Sequence, residues 1–221
     1  KLSIGGEDSG NNRSKAISIL LKTWVTVPEP LEAFHADGLA FLKAFPKTDW
    51  LPVQWGMLVA VFPFFGSVAE IVGRLQRLQG GVAAVQVQRR IREQFGERET
   101  TARAARRILR SFIDWGVLTE AGKKGEYQAA PPRLVQYSSL AVWLLEALLR
   151  SSNTSGMGYK VLAQSPVLFA FELPSLSLRD LENNPRLDIF RQGLDEDVVR
   201  LRADRHEAQI GVGLPLFDQV Q

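Results

Sequence analysis

The sequence predicts a mainly α-helical protein in which a module of three helices and a β-hairpin lies between an N-terminal helical bundle and a C-terminal α/β extension. Three observations indicate this fold class. Apolar residues recur at helical spacing through most of the first 150 residues. Three such patterns follow one another within residues 67–130 and end in two short strand patterns around a glycine-bounded turn. Beyond residue 158, one short helix and one hairpin are the clearest patterns.

The composition is that of a globular protein with a locally basic segment. A chain of 221 residues with 45% hydrophobic residues can bury one sizeable core or two small ones. The formal net charge is only +3, but residues 85–125 hold ten basic and five acidic residues. Such a local excess of positive charge is suited to a polyanionic partner.

The absence of cysteine excludes disulfides and thiolate chemistry and fits a reducing compartment, so we expect a cytoplasmic protein. The apolar run 51–65 is too short for a bilayer and contains Pro63, and the run 142–149 is interrupted by Glu146. We therefore expect no membrane association. Residues 1–14 are rich in Gly, Ser and Asn, lack an apolar signal core and are expected to be flexible.

Residues 15–66 are predicted to form the N-terminal helical bundle. One helix covers residues 15–24, and a second follows the turn at Pro28 and Pro30 and continues to about Phe45. A third begins near Pro52 and is apolar on most sides, which places it in the interior.

Residues 67–132 form the predicted module. Ser67 and Glu70 have the spacing of a capping box at the start of its first helix, which should bury a stripe that ends at Leu78 and should stop at Gly80 and Gly81. A second helix from about Ala84 should bury Phe95 and stop at Gly96, and Val82 before it is suited to a small strand. The third helix covers residues 100–115 and should end at Gly116. The strands 117–121 and 126–130 then flank a turn, which consists of Gly122, Lys123, Lys124 and Gly125.

The third helix has two chemically different faces. At 100° per residue, four arginines fall within a sector of about 100°, and the apolar residues lie roughly opposite. The arginines are Arg103, Arg106, Arg107 and Arg110. Because a guanidinium group suits both phosphate oxygens and the guanine edge, this arginine row can anchor and read DNA.

The order of helices and strands over residues 67–130 resembles the winged helix-turn-helix superfamily, over a little under a third of the chain. The resemblance implies that the third helix enters the major groove and that the hairpin, the wing, touches the DNA backbone or minor groove. It therefore places the arginine row on the recognition helix and Lys123 and Lys124 at the wing tip. Arg89 and Arg90, on the second helix, would support phosphate contacts.

From these features we expect a non-catalytic protein that binds double-stranded DNA. The alternative is a winged-helix adaptor or scaffold that docks a protein partner in a larger nucleic-acid machine, such as a chromosome-maintenance or anti-phage defence complex. Glu99 lies four residues before Arg103, and Asp114 lies four residues after Arg110, a spacing at which the acids neutralise part of the arginine row. A charged helix face that only contacts solvent would show the same pattern.

Motifs for enzymatic chemistry are absent from the sequence. His35 and His206 lack metal-ligand spacing, and no phosphate-cradling glycine loop is present. The acidic trio Asp195, Glu196 and Asp197 is typical of a solvated hairpin turn. We therefore expect no enzymatic activity, no cofactor and no metal. The five tryptophans follow apolar patterns and are expected to pack in the core, and Tyr127 is expected to pack on the hairpin sheet.

The remaining chain divides into two predicted parts. Residues 133–150 form a strongly apolar helix, which serves for packing or, in a homodimer that reads a palindrome, for dimerisation. Residues 151–221 form the α/β extension, which begins with a loop over 151–158. Within it the patterns predict a short helix at 178–182 and a hairpin of 187–191 with 198–202 around Gly193.

Overall fold

The computed structural model describes residues 9–152, 154–192 and 196–202, and these form a mainly helical protein with small sheets. Residues 9–14 belong to the first helix, which corrects the expectation that all of 1–14 is flexible. Several predictions fall outside the described residues, namely those on residues 1–8, Gly193, Asp195 and His206.

The N-terminal region contains three helices, as predicted. They are α1 (Ser9–Trp24), α2 (Glu32–Ala44) and α3 (Trp50–Val61), with short 3-10 helices at Glu29–Leu31 and Lys47–Asp49. Helix α3 is buried on most sides, which confirms its predicted interior position. By contrast, four large apolar residues of α1 are exposed, and this helix is anchored near its end, where the half-buried Trp24 donates from Nε1 to Gln54 Oε1 at 3.0 Å.

Helix α7 (Ser138–Ser151) packs on α2 and α3, and these three helices are called the bundle. Every residue from Leu140 to Leu149 is buried. The Trp143 ring stacks on Phe34 with 4.2 Å between centroids, and its Nε1 donates to the Phe34 carbonyl at 3.0 Å. The chain itself covers this helix, which fits the packing role expected for residues 133–150, and its role in dimerisation stays a prediction.

The predicted module consists of α4 (Pro63–Gln79), β1 (Val82–Ala83), α5 (Ala84–Phe95), α6 (Glu99–Asp114), β2 (Leu118–Glu120) and β3 (Glu126–Ala129). The three strands form an antiparallel sheet in the order β1-β3-β2. Val82 pairs with Tyr127, and Leu118 pairs with Ala129. Gly80, Gly96 and Gly116 follow the three helices with positive φ, as predicted for helix ends.

Three details of the module differ from the predictions. Helix α4 begins at Pro63, whose fixed φ suits the first helical position, so Ser67 lies inside the helix and donates to the Pro63 carbonyl instead of capping. Leu78 and Phe95 are exposed. Both lie in the last turn of their helices, beyond the part that packs on the core.

The C-terminal region contains the predicted short helix and hairpin, α9 (Leu178–Glu182) and β7 (Leu187–Gln192) with β8 (Glu196–Leu201). A further strand, β5 (Met157–Gly158), pairs with β8, so the predicted loop 151–158 includes part of a sheet. Helix α8 (Tyr159–Ala163) and the 3-10 helix Pro166–Leu168 follow. Strand β4 (Arg133–Leu134) pairs in parallel with β6 (Phe171–Glu172).

An aromatic cluster joins the module to the rest of the protein. Its members come from α3, α4, α6 and the segment around β6, and they are Trp55, Phe65, Phe112, Trp115, Phe169 and Phe171. Trp55 Nε1 also donates to the Val167 carbonyl at 3.1 Å. The buried residues of the module therefore belong to the same hydrophobic core as the bundle.

None of the helices in the described part of the chain is, by itself, long and apolar enough to cross a membrane. The adjoining helical segments Lys47–Val61 and Pro63–Gln79 reach the length and hydrophobicity of a membrane span only when they are counted together, and the chain bends by 117° between them.

Candidate nucleic-acid interface

Helices α5 and α6 are joined by only three residues, Gly96, Glu97 and Arg98. Gly96 adopts a φ of +86°, which disfavours any residue with a side chain. Its backbone N–H closes α5 by donating to the Arg92 carbonyl at 2.8 Å. A short glycine-containing turn between two helices is the geometry that presents a second helix to a nucleic-acid groove.

Helix α6 has the two faces that its spacing predicts. Ala102, Ala105 and Phe112 are fully buried, and Leu109 lies with them in the core. Four exposed arginines form the arginine row on the other side, and they are Arg103, Arg106, Arg107 and Arg110. The predicted separation of a buried apolar face and a solvent-facing arginine row is confirmed.

Carboxylates at the two ends of α6 contact three of these arginines. Glu99 Oε1 lies 2.8 Å from Arg106 Nη2 and 3.9 Å from Arg103 Nη2. At the other end, Arg110 Nε lies 3.1 Å from Asp114 Oδ1. Arg107 is also engaged within the chain.

The pairs of Glu99 with Arg103 and of Arg110 with Asp114 were expected from their spacing of four. The contact between Glu99 and Arg106 was not expected, because the two residues are seven positions apart and about 10 Å apart along the helix axis. The long arginine side chain spans this distance.

The pairs on α6 leave the arginines accessible. The side chains of Arg103, Arg106 and Arg110 are between 52% and 69% exposed. Exposed ion pairs contribute about 0–1 kcal/mol, so a stronger anionic ligand can replace the carboxylates at little cost.

Helix α5 adds cations beside the three-residue turn. Arg89 is exposed and its Nε lies 3.6 Å from Glu93 Oε1, whereas Arg90 is half-buried. Arg92 and Arg98 are exposed, and within the described ranges no carboxylate pairs with either of them. In the described part of the chain, Arg92 of α5 and Arg98 of the turn therefore lack the carboxylate partners that three arginines of the row have.

The turn between β2 and β3 carries two exposed lysines, Lys123 and Lys124. Gly122 and Gly125 flank them with φ of +72° and +86°. The Gly125 carbonyl accepts a hydrogen bond of 2.8 Å from the backbone N–H of Ala84, which ties the hairpin to the start of α5. Tyr127 is half-buried against the core, as expected for a packing residue.

The described residues contain no group of three or more His, Asp and Glu side chains that could hold a metal ion. His35 Nε2 lies 3.2 Å from the Trp24 carbonyl, which accounts for it as a structural residue. A cleft of about 550 Å³ lies between α4 and the hairpin, and its polar lining consists of Gln76, Gln128 and the Thr119 hydroxyl.

A buried charged cluster lies away from the arginine row and was missed from the sequence. Glu146 is fully buried and accepts hydrogen bonds from Arg150, Arg186 and Asn184, each at 2.8 Å. Arg186 also donates to Asp37 at 2.6 Å. The sequence offered one local signal, the spacing of four between Glu146 and Arg150, but Asn184 and Arg186 are 38 and 40 residues away from Glu146 along the chain.

Burial raises the pKa of Glu146, but the hydrogen bonds from Arg186 and Asn184 and the charges of Arg150 and Arg186 outweigh burial and hold its pKa below the usual value. The pKa of Arg186 is raised, mainly by its hydrogen bond to Glu146. Each charge in this cluster is therefore neutralised in place, and the cluster is structural.

The module thus carries exposed cations on α5, on α6 and on the β2–β3 turn. Guanidinium and ammonium groups of this kind bind the phosphate groups of a polyanion. No protein-family model, curated protein or solved structure matches this chain.

Proposed function

We propose that α4, α5, α6 and the sheet β1-β3-β2 form a winged helix that binds double-stranded DNA without catalysis. Helix α6 enters the major groove, and the turn with Lys123 and Lys124 contacts the backbone. The observation that carries the proposal is the exposed arginine row on a helix whose other face packs into the core.

Two further features support this proposal. Three helices are followed by the β2–β3 hairpin, which is the order of elements on which the winged-helix resemblance rests, and β1 between α4 and α5 pairs with β3. The turn Gly96–Arg98 keeps α5 close to α6, as in helix-turn-helix proteins that lay one helix across the backbone and the next in the groove. A cysteine-free chain is also compatible with the reducing cytoplasm, where we place this protein.

A salt titration tests the proposal directly. Four to six phosphate contacts predict that the logarithm of the affinity for duplex DNA falls with the logarithm of the salt concentration with a slope of about −4 to −5. A fluorescence-anisotropy titration at several salt concentrations measures this slope. An affinity that does not change with salt would overturn the proposal.

Matched variants locate the binding surface. Arg103→Ala/Arg107→Ala should weaken binding and reduce the salt slope by about 2, because each lost phosphate contact removes about 1. Lys160→Ala/Arg179→Ala removes two exposed cations from α8 and α9 and should leave binding unchanged. Equal losses in both variants would show that net charge, and not the arginine row, determines the affinity.

The adaptor function is the second candidate, and helix α1 favours it. Ile17, Ile19, Leu20 and Leu21 are between 42% and 50% exposed, which is unusual for a row of large apolar residues. A stoichiometric protein partner that co-purifies with the chain, together with DNA affinity of the complex that survives Arg107→Glu, would select this function.

A further inference from the structure

The arginine row of α6 has an acidic residue at each end, and both acids contact it. Glu99 in the first turn contacts Arg103 and Arg106 through one carboxylate oxygen. Asp114 in the last turn contacts Arg110. The interface proposed for DNA is thus already occupied in part by the chain's own anions.

The carboxylates occupy donors that a phosphate group would need. Arg106 Nη2 lies 2.8 Å from Glu99 Oε1, a full charge-assisted hydrogen bond, and Arg110 Nε is similarly engaged at 3.1 Å. Phosphate oxygens seek the same donors in the same geometry. A guanidinium N–H that points at Glu99 is not available to DNA until the carboxylate is displaced.

Displacement is feasible because both acids are exposed. The side chains of Glu99 and Asp114 are 60% and 56% exposed. Water and salt screen such pairs, so they hold the arginines in place weakly and exchange readily. After exchange, however, each carboxylate remains close to the phosphates and repels them.

We propose that Glu99 and Asp114 are internal counter-ions of the arginine row, which DNA phosphates replace on binding, and that they set the affinity below what four arginines would otherwise give. This inference rests on the proposed DNA-binding function. The two acids lower the affinity for any polyanion, so a duplex must offer additional contacts, such as base edges in the groove, to be retained.

The test compares three charge-neutralising variants of the full chain on one random-sequence duplex: Glu99→Gln, Asp114→Asn and Glu97→Gln. Glu97 is the matched control, because it is exposed, lies two residues from Glu99 and, in the part of the chain that the structure describes, makes no ion pair. All three variants change the net charge equally. Only the first two release arginines.

At low salt, Glu99→Gln should bind the duplex about threefold to tenfold more tightly than the wild type, and Asp114→Asn about twofold to threefold more tightly, because Glu99 contacts two arginines and Asp114 one. Glu97→Gln should change the affinity by less than about twofold. The gain should shrink as salt rises, because salt also screens the intramolecular pairs.

The sign of the effect distinguishes this role from a structural one. An acid in the first turn stabilises a helix, so a Glu99 that served only the helix would give a variant with lower helicity by circular dichroism and weaker DNA binding. Tighter binding with unchanged helicity supports the inference.

The outcomes also separate the two proposals. A wild-type protein that does not bind duplex DNA overturns both. If the wild type binds duplex DNA but Glu99→Gln and Glu97→Gln bind it with equal affinity, only the counter-ion role is overturned. The affinity would then depend on net charge alone.

Discussion

At the scale of single residues, Glu146 shows how a carboxylate is retained in an apolar helix. It accepts hydrogen bonds from Arg150, Arg186 and Asn184. Arg150 also donates a hydrogen bond of 2.8 Å to the Pro30 carbonyl. The guanidinium of Arg150 also lies over the Phe34 ring. A buried ion of this kind is strongly destabilising when one partner is removed, because the remaining charge has no solvent to compensate it.

We expect Glu146→Gln to lower the free energy of unfolding at pH 7 by about 3 kcal/mol, since the guanidinium groups of Arg150 and Arg186 lose their counter-charge. The folded-state pKa lies below the usual 4.5, so the contribution of Glu146 is fully present above pH 4.5 and is lost as the pH falls through the folded pKa. The difference between variant and wild type should therefore shrink in acid. Urea unfolding between pH 3 and pH 7 measures it.

The exposed pair of Glu70 and Arg74 provides the control. Glu70→Gln should cost less than about 1 kcal/mol at any of these pH values. A cost for Glu146→Gln no larger than that for Glu70→Gln would show that the buried cluster contributes nothing beyond a surface pair.

Residues whose partners are near in the chain were the predictable ones. The contacts of Glu99 with Arg103 and of Arg110 with Asp114 follow from a spacing of four. The same spacing joins Glu146 to Arg150, but the contacts of Arg186 with Glu146 and Asp37 were not predictable, because they form only when α2, α7 and the segment before β7 are folded together. Local spacing carries no information on such contacts.

At the scale of elements, α4 illustrates how closely helices and loops approach in this protein. Gly73 lies where a Cβ atom would come within 2.1 Å of the Pro166 carbonyl oxygen. The 3-10 helix Pro166–Leu168 can therefore pack on α4 only if residue 73 has no side chain. Gly66, on the same helix, has its nearest such contact at 3.9 Å, to Val59.

Gly73→Ala should destabilise the protein by about 1–3 kcal/mol, because the backbone at Pro166 has to move. Gly66→Ala should be neutral or stabilising by up to about 1 kcal/mol, because alanine favours the helix and meets no close atom. Thermal unfolding of the two variants compares them directly. Similar melting temperatures for both would contradict the close contact between α4 and the 3-10 helix.

The element predictions were most accurate where strong end signals exist. Gly80, Gly96 and Gly116 marked the ends of α4, α5 and α6, and the predicted helix at 178–182 has the bounds of α9. The start of α4 was misplaced because the capping-box spacing at Ser67 outweighed Pro63 in the prediction. The two-residue strands β4 and β6 and the five-residue helix α8 are too short to give a periodic signal.

At the scale of the whole molecule, the proposed winged helix is not an independent unit. Trp55 of α3 contacts Phe65, Phe112 and Phe169, so one ring lies between the bundle, the module and the C-terminal region. Helix α7 likewise packs on α2 through Phe34. The sequence predicted these parts as consecutive segments, but it did not indicate that they share one core.

We expect the protein to unfold in a single cooperative transition, because separating the module would expose the aromatic cluster. Far-UV circular dichroism and tryptophan fluorescence should give coincident curves in urea. As a check, a polypeptide of residues 63–132 alone should lack a cooperative transition, since Trp55 and Phe169 are missing from it. Two resolved transitions of the full chain would refute the shared core.

The long-range contacts also bear on how the protein reaches its native state during synthesis. Arg186 bonds to Asp37, 149 residues earlier, and Trp55 bonds to Val167, 112 residues later. When a nascent chain has emerged from the ribosome only as far as α7, Glu146 therefore lacks its hydrogen bonds from Arg186. The apolar helices are then not yet covered by the residues that follow α7. Native packing around Glu146 therefore waits until the segment that precedes β7 has left the ribosome.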